Sequence, residues 1–158
     1  MIEIVPYHPE WPAEFEAIAA QVRAALGERA LRIDHIGSTA VPGLAAKDII
    51  DVQVTVARFT PDLEAAFPAL GYLARPDIST DHRPPNADGP DSDWEKRFFE
   101  MPAGGQRPTH IHVRIQGRLN QRYPLLFRDY LRSRPAVAAG YAELKRRLAI
   151  YHGDNRYV

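Results

Sequence analysis

Cysteine is absent from this sequence, which excludes disulfides, thiol nucleophiles and zinc sites built on thiolates. Long apolar runs are absent as well. No stretch approaches the roughly 20 residues that a membrane-spanning helix requires, and the amino-terminal MIEIVPYHPEWP lacks a basic segment followed by an apolar one, so neither a membrane partner nor a secretory leader is expected. Internal repeats, low-complexity tracts and an interdomain linker are missing too. The expectation is a cytoplasmic protein forming one domain over residues 1–158.

Net charge is also lacking, because 20 Lys and Arg balance 20 Asp and Glu, but the two signs are unevenly placed. Up to Val113 there are 10 basic against 17 acidic residues, and beyond it 10 against 3. The carboxyl-terminal Arg122, Arg128, Arg132, Arg134, Lys145, Arg146 and Arg147 read first as a solvated helix surface that offsets the acidic part. Their second reading is a field that draws in phosphates or nucleic acid. Nonspecific nucleic-acid binding by these helices, which would weaken steeply with salt, ranks last among the readings.

Apolar periodicity supplies the elements. Phe15, Ile18, Ala19, Val22 and Leu26 are spaced for an amphipathic helix from about Pro12 to Leu26, stopped by Gly27. Leu31 to Ile36 alternates as a short strand and runs into the turn-forming Gly-Ser-Thr-Ala-Val-Pro-Gly. From Asp48 to Val56 a second strand places Ile50, Val52, Val54 and Val56 on one face and Asp51, Gln53 and Thr55 on the other. Pro61 to Leu70 reads as a helix that carries Pro68 inside it. Residues 75 to 93, with four prolines, read as a lid or a mobile insertion. Trp94 to Met101 and Thr109 to Ile115 read as an antiparallel pair joined through Ala-Gly-Gly, and two helices follow, with Pro135 in the first turn of the second. Trp94, Phe98 and Phe99 are expected in the core or on the sheet face. The sheet is expected to be mixed, in an α+β arrangement.

The densest chemistry lies at Ile36-Gly37-Ser38 and Asp51. A Gly-Ser turn brings backbone amides and a hydroxyl close to phosphate oxygens, and a strand carboxylate opposite it can hold Mg²⁺ on those oxygens. Lys47 can neutralise phosphate charge. His110 and His112, two apart on a strand, share a face and with Asp51 make a candidate metal site of two imidazoles and one carboxylate. His35 either joins that group or packs under the loop. The candidate partners are a nucleotide or small phosphorylated ligand, and secondly a protein.

The segment HIGSTAVPGLAAKDIIDVQV, residues 35 to 54, resembles the GrpB (glutamate-rich protein B) family. So do VPYHPEWPAEFE at 5 to 16, RPTHIHV at 107 to 113 and FRDYLRSRPAVAAGYAELKRRLA at 127 to 149. The resemblance implies a nucleotidyltransferase-like fold, with Gly37 and Ser38 in the phosphate loop and Asp51 as first metal carboxylate. It also implies that chains of this kind continue past the position of Val158, and that the domain is found fused to a dephospho-coenzyme A kinase. At Gln53, where such transferases carry a second carboxylate, an amide stands instead. Asp51 and Gln53 are thus the candidate catalytic positions. Two functions are open: a metal-dependent nucleotidyl- or phosphoryl-transferase acting on a small acceptor, or a non-catalytic nucleotide- or anion-binding or protein-interaction module. Mg²⁺ or Mn²⁺ is the expected cofactor, or Zn²⁺ or another transition metal if the histidines ligate.

Overall fold

Helix α1 spans Trp11–Leu26 and buries Trp11, Phe15, Ile18, Val22 and Leu26, which is the stripe that the spacing predicts. Pro12 sits in its first turn, where a missing N–H leaves no bond unmade, and Gly27 ends it at φ 57°. The structure is a computed structural model that describes residues 3–102, 104 and 106–152. After α1 come β1 (Arg32–Ile36), β2 (Ile50–Val56), α2 (Pro61–Ala69), β3 (Leu73–Ala74), β4 (Arg97–Met101), β5 (Thr109–Ile115), α3 (Leu119–Ser133) and α4 (Pro135–His152). The five strands lie in the order β1-β2-β5-β4-β3. Among the described residues only β2 and β5 pair in parallel; the other strand pairs are antiparallel. This is the mixed α+β sheet that the sequence predicts.

The alternation in β2 decides what each face of the sheet does. Ile50, Val52, Val54 and Val56 are fully buried and join Ile111 and Val113 of β5, Phe99 and Met101 of β4, and the buried stripes of α1 and α2 in one core. Burying each such aliphatic side chain is worth about 1.5–3 kcal/mol. The opposite face carries the polar members of the same strands, Asp51 and Gln53 on β2 and His110, His112 and Arg114 on β5, and α3 packs over it. A smaller cluster of Val41, Leu44, Leu131, Ala138 and Ala142 fastens the loop after β1 to α3 and α4.

Two local outcomes differ from the sequence reading. Strand β4 starts at Arg97 because Asp91–Trp94 closes a 3-10 turn first. The connection from 75 to 93, read as a lid or mobile insertion, is fastened at its middle. Thr80 bridges Glu95, and the Asp81 carboxylate accepts from Arg114 at 2.8 Å, Lys96 at 2.8 Å and Asn120 at 3.0 Å. The tip is closed by Arg83, which pairs with Asp91 and donates to the carbonyls of Ala87 and Gly89. Ala103 and Gly105 of the expected Ala-Gly-Gly turn, and everything after His152, lie outside the described residues.

Candidate functional site

Strand β1 delivers the chain into Gly37 at φ 71° and ψ −171°, a combination that residues with a Cβ occupy only under strain. A Cβ at this position would stand 2.6 Å from Oδ2 of Asp51, so the Gly-Ser turn is folded directly over that carboxylate. Strand register makes the arrangement unavoidable: Ile36 lies opposite Asp51, and Asp51 and Gln53 lie opposite His110 and His112. Oδ1 of Asp51 is 3.3 Å from Nδ1 of His110 and 3.3 Å from Nε2 of His112. Phe98 stacks edge-on against both imidazoles, with ring centroids 5.1 and 4.9 Å away.

Burial pushes the Asp51 carboxyl up, but the hydrogen bonds from His110 and His112 outweigh it and hold the group below the usual carboxylate range. Burial pushes His112 down to about 4, against the pull of Asp51, so this imidazole is neutral at pH 7. Nη2 of Arg114 lies 3.4 Å from Nδ1 of His112. A guanidinium only donates, so Nδ1 accepts and the proton on Nε2 points at Asp51, an assignment made from the hydrogen-bond network.

The donor set fits a transition metal. One ligand atom from each of Asp51, His110 and His112 lies within 4.8 Å of the other two. A tetrahedral ion with bonds of about 2.0–2.1 Å spaces its ligands roughly 3.3–3.4 Å apart, the separation already held on either side of Asp51. Two imidazoles favour zinc, manganese, nickel or iron over magnesium. A metal on Nε2 of His112 requires the proton to sit on Nδ1, so metal binding and the Arg114 contact exclude one another.

Next to this cluster a cavity of about 300 Å³ opens between the Gly37-Ser38 turn and the helices α3 and α4. Asp51, His112, Arg114 and Arg128 line one part of it, and Tyr123, Phe127 and Tyr141 another. Nζ of Lys145, on α4, donates to Oγ of Ser38 at 2.7 Å across 107 residues of chain. Burial lowers the pKa of Lys145 and the Asp51 charge works against that; the same two causes act on Lys47, which stands three residues before β2. Arginines of α3 hold the turn's backbone, Arg128 through the carbonyl of His35 at 3.0 Å and Arg132 through that of Ala40 at 2.8 Å.

Two candidates have other occupations. Gln53 is fully buried: its carbonyl accepts from Arg114 at 2.8 Å and its amide donates to the Gln121 carbonyl at 2.9 Å. It ties β2 to β5 and α3 and does not line the cavity. His35 packs under the loop, stacked on Phe15 at 4.8 Å and 3.0 Å from the Thr39 hydroxyl, and burial lowers it to about 4. An unfolded histidine titrates near 6.5. Between those values the unfolded chain takes up a proton that folded His35 refuses. The stability that His35 contributes is complete above about pH 6.5 and falls by about 1.4 kcal/mol per pH unit toward 4. Urea midpoints at pH 7, 6 and 5 test this; His35→Phe should flatten the slope by that amount, and an unchanged slope would refute it.

Lys145 was visible in the sequence only as one member of a basic run. The signal that could have singled it out is Tyr141, four residues earlier and hence on the same helix face, whose ring centroid is 5.5 Å from Nζ.

Comparison with known proteins agrees with this architecture. A family model described as GrpB protein matches residues 1–158. A protein named dephospho-CoA kinase from Mycolicibacterium paratuberculosis is 38% identical over 159 residues, covering 92% of this chain and 39% of that protein. The UPF0157 protein BH1888 of Halalkalibacterium halodurans is 36% identical over 155 residues, covering 94% of this chain and 69% of its own. The chain thus spans about two fifths of the length of the kinase-named relative. The crystal structure of conserved protein GrpB from Enterococcus faecalis superposes with a TM-score of 0.76 at 32% identity, over 97% of this chain and 86% of that one.

Proposed function

The chain belongs to the GrpB family, and from that premise we propose that its site binds a nucleotide or other small phosphorylated molecule together with one divalent metal and transfers a nucleotidyl or phosphoryl group to a small acceptor. The observation that carries this reading is the meeting of Asp51, His110 and His112 beneath a turn whose Gly37 leaves no room for a side chain. Asp51, His110 and His112 would hold the ion, which when bound supplies positive charge to phosphate oxygens. The chain's own part is to present the Ser38 hydroxyl and the ammonium groups of Lys145 and Lys47 to the phosphate, and to keep Asp51 ionised.

Transfer with two metals calls for carboxylates bridging a pair of ions about 3.5–4 Å apart. Gln53 has both amide atoms committed to Arg114 and Gln121, so this site is proposed to hold one ion. The same observation favours a second reading, a module that binds the nucleotide without turning it over.

A thermal-shift series with Mn²⁺ or Zn²⁺, each with and without ATP or UTP, tests the proposal in wild type and Asp51→Ala. Metal at about 100 times its dissociation constant stabilises by about 2.7 kcal/mol, a shift of several degrees for a domain of this length. The shift should be present in wild type and abolished in Asp51→Ala; its absence from wild type sinks the metal reading. Nucleotide and metal binding without product over a day's incubation would select the second reading over the first.

A further inference from the structure

The two parts of the cavity differ in kind, and the difference defines a ligand. One part has Ser38, Asp51 and Arg128, with Lys145 reaching the Ser38 hydroxyl at 2.7 Å. The other is a wall of rings on the carboxyl-terminal helices. Tyr123 and Phe127 lie nearly parallel, 8° apart with centroids at 5.9 Å, and Tyr141 stands edge-on to Phe127 at 5.3 Å and 85°. The wall is stiff at its base, because Phe127 and Tyr141 pack on the cluster of Val41, Leu44, Leu131, Ala138 and Ala142. It is open at its lip, where Tyr123 is 60% exposed. Lys145 stands at the junction, bonded to the turn and 5.5 Å from the Tyr141 ring centroid.

We propose that this cavity takes a phosphate monoester carried on a flat aromatic group, of the mononucleotide class, with the ring against Tyr123 and Tyr141 and the phosphate on Ser38 and Lys145. This rests on the phosphate-binding reading above and adds the part of the ligand that the metal cluster does not touch. The volume of about 300 Å³ is at the lower end for small-molecule sites, room for one nucleotide unit and not for a polynucleotide. A ring is called for by the wall: an aliphatic phosphate would leave Tyr123 exposed to water, whereas stacking covers it. Stacking on an aromatic side chain strengthens binding by on the order of tenfold or more. Lys145 presents three donors and a full charge, so one of them can stay on Ser38 while the others reach phosphate oxygens.

Isothermal titration in metal-free buffer with AMP, phenyl phosphate and ribose 5-phosphate tests the proposal. AMP should bind about tenfold or more tightly than ribose 5-phosphate. Phenyl phosphate at the strength of AMP assigns the preference to the ring alone, and a weaker value assigns it to the nucleotide; both keep the proposal. In Tyr123→Ala, or in that variant combined with Tyr141→Leu, the preference should vanish while ribose 5-phosphate affinity stays. Lys145→Met should weaken every phosphate about tenfold and leave the preference intact. Equal binding of AMP and ribose 5-phosphate by wild type overturns the proposal, as does a preference that persists in the double variant. If Mn²⁺ binds and no phosphate does, with or without the ion, this inference fails and the metal site stands. If AMP binds with its preference over ribose 5-phosphate and Mn²⁺ does not bind, the metal site fails and this inference stands. Tyr123 is a surface side chain, so Tyr123→Ala should melt as wild type does, and its titrations report binding and not folding.

Discussion

Gly37→Ala is expected to unfold about 3 kcal/mol more easily than wild type and to lose the metal-dependent thermal shift in the fraction that folds. Two costs combine. The backbone at φ 71° and ψ −171° is glycine territory, where another residue is strained by about 1–3 kcal/mol. The added methyl would also meet Oδ2 of Asp51 at 2.6 Å and its Cγ and Cβ at 3.1 Å, and Asp51 cannot swing away without leaving His110 and His112. A double-mutant cycle separates the two. In an Asp51→Ala background only the 3.1 Å contact with Cβ remains, so Gly37→Ala should cost about 1 kcal/mol less there, a coupling of the size found between touching residues. Equal costs in both backgrounds, measured by urea unfolding, would show that the turn does not press on the carboxylate.

Asp81→Asn is expected to cost about 3–5 kcal/mol, the range for removing one partner of a buried ion pair. The side chains of Arg114 and Lys96 are only 5% and 8% exposed, and Asp81 is the carboxylate that both of them face. Burial pushes the Asp81 carboxyl up, but Arg114 and Lys96 outweigh it and hold it well below the usual range. A carboxyl with a depressed folded-state pKa gives stability that is whole above its unfolded value of about 3.9 and drains away as pH falls below it. Wild type should therefore lose stability steeply below about pH 4 by a component that Asp81→Asn lacks. Asp91→Asn is the control: its side chain is 96% exposed in its pair with Arg83, and its loss should leave the unfolding midpoint unchanged. A midpoint in Asp81→Asn equal to the control's would remove the buried network as the anchor of residues 75–93.

Period-two alternation made much of this legible. Because Ile50 to Val56 alternates cleanly, the sequence alone places Asp51 on the face away from the core, and the same rule puts His110 and His112 on one face of their strand. That β2 and β5 lie side by side in parallel, Asp51 against His110, is a product of tertiary pairing that no local pattern encodes. Gln53 shows a second limit: its place two residues after Asp51 marks it as a ligand position, but the partners of its amide come from Arg114 and Gln121, 61 and 68 residues away. The reading of 75–93 as a lid or mobile insertion followed from its prolines, and Asp81, the residue that fastens it, looks in the sequence like any other loop acid. Lys145 and the ring wall were hidden for the opposite reason, as members of helical patterns that are ordinarily surface and core.

The parallel pairing of β2 with β5 also sets when the site comes into being during folding. Asp51 and His112 are 61 residues apart and Ser38 and Lys145 107, so each contact closes a long loop and is entropically late. Helices and the β1–β2 antiparallel pair can form while the chain is still short, yet none of them alone contains a complete set of ligands. A refolding chain should then acquire helical circular dichroism before it can capture a ligand, and binding competence becomes a clock for the last step of assembly.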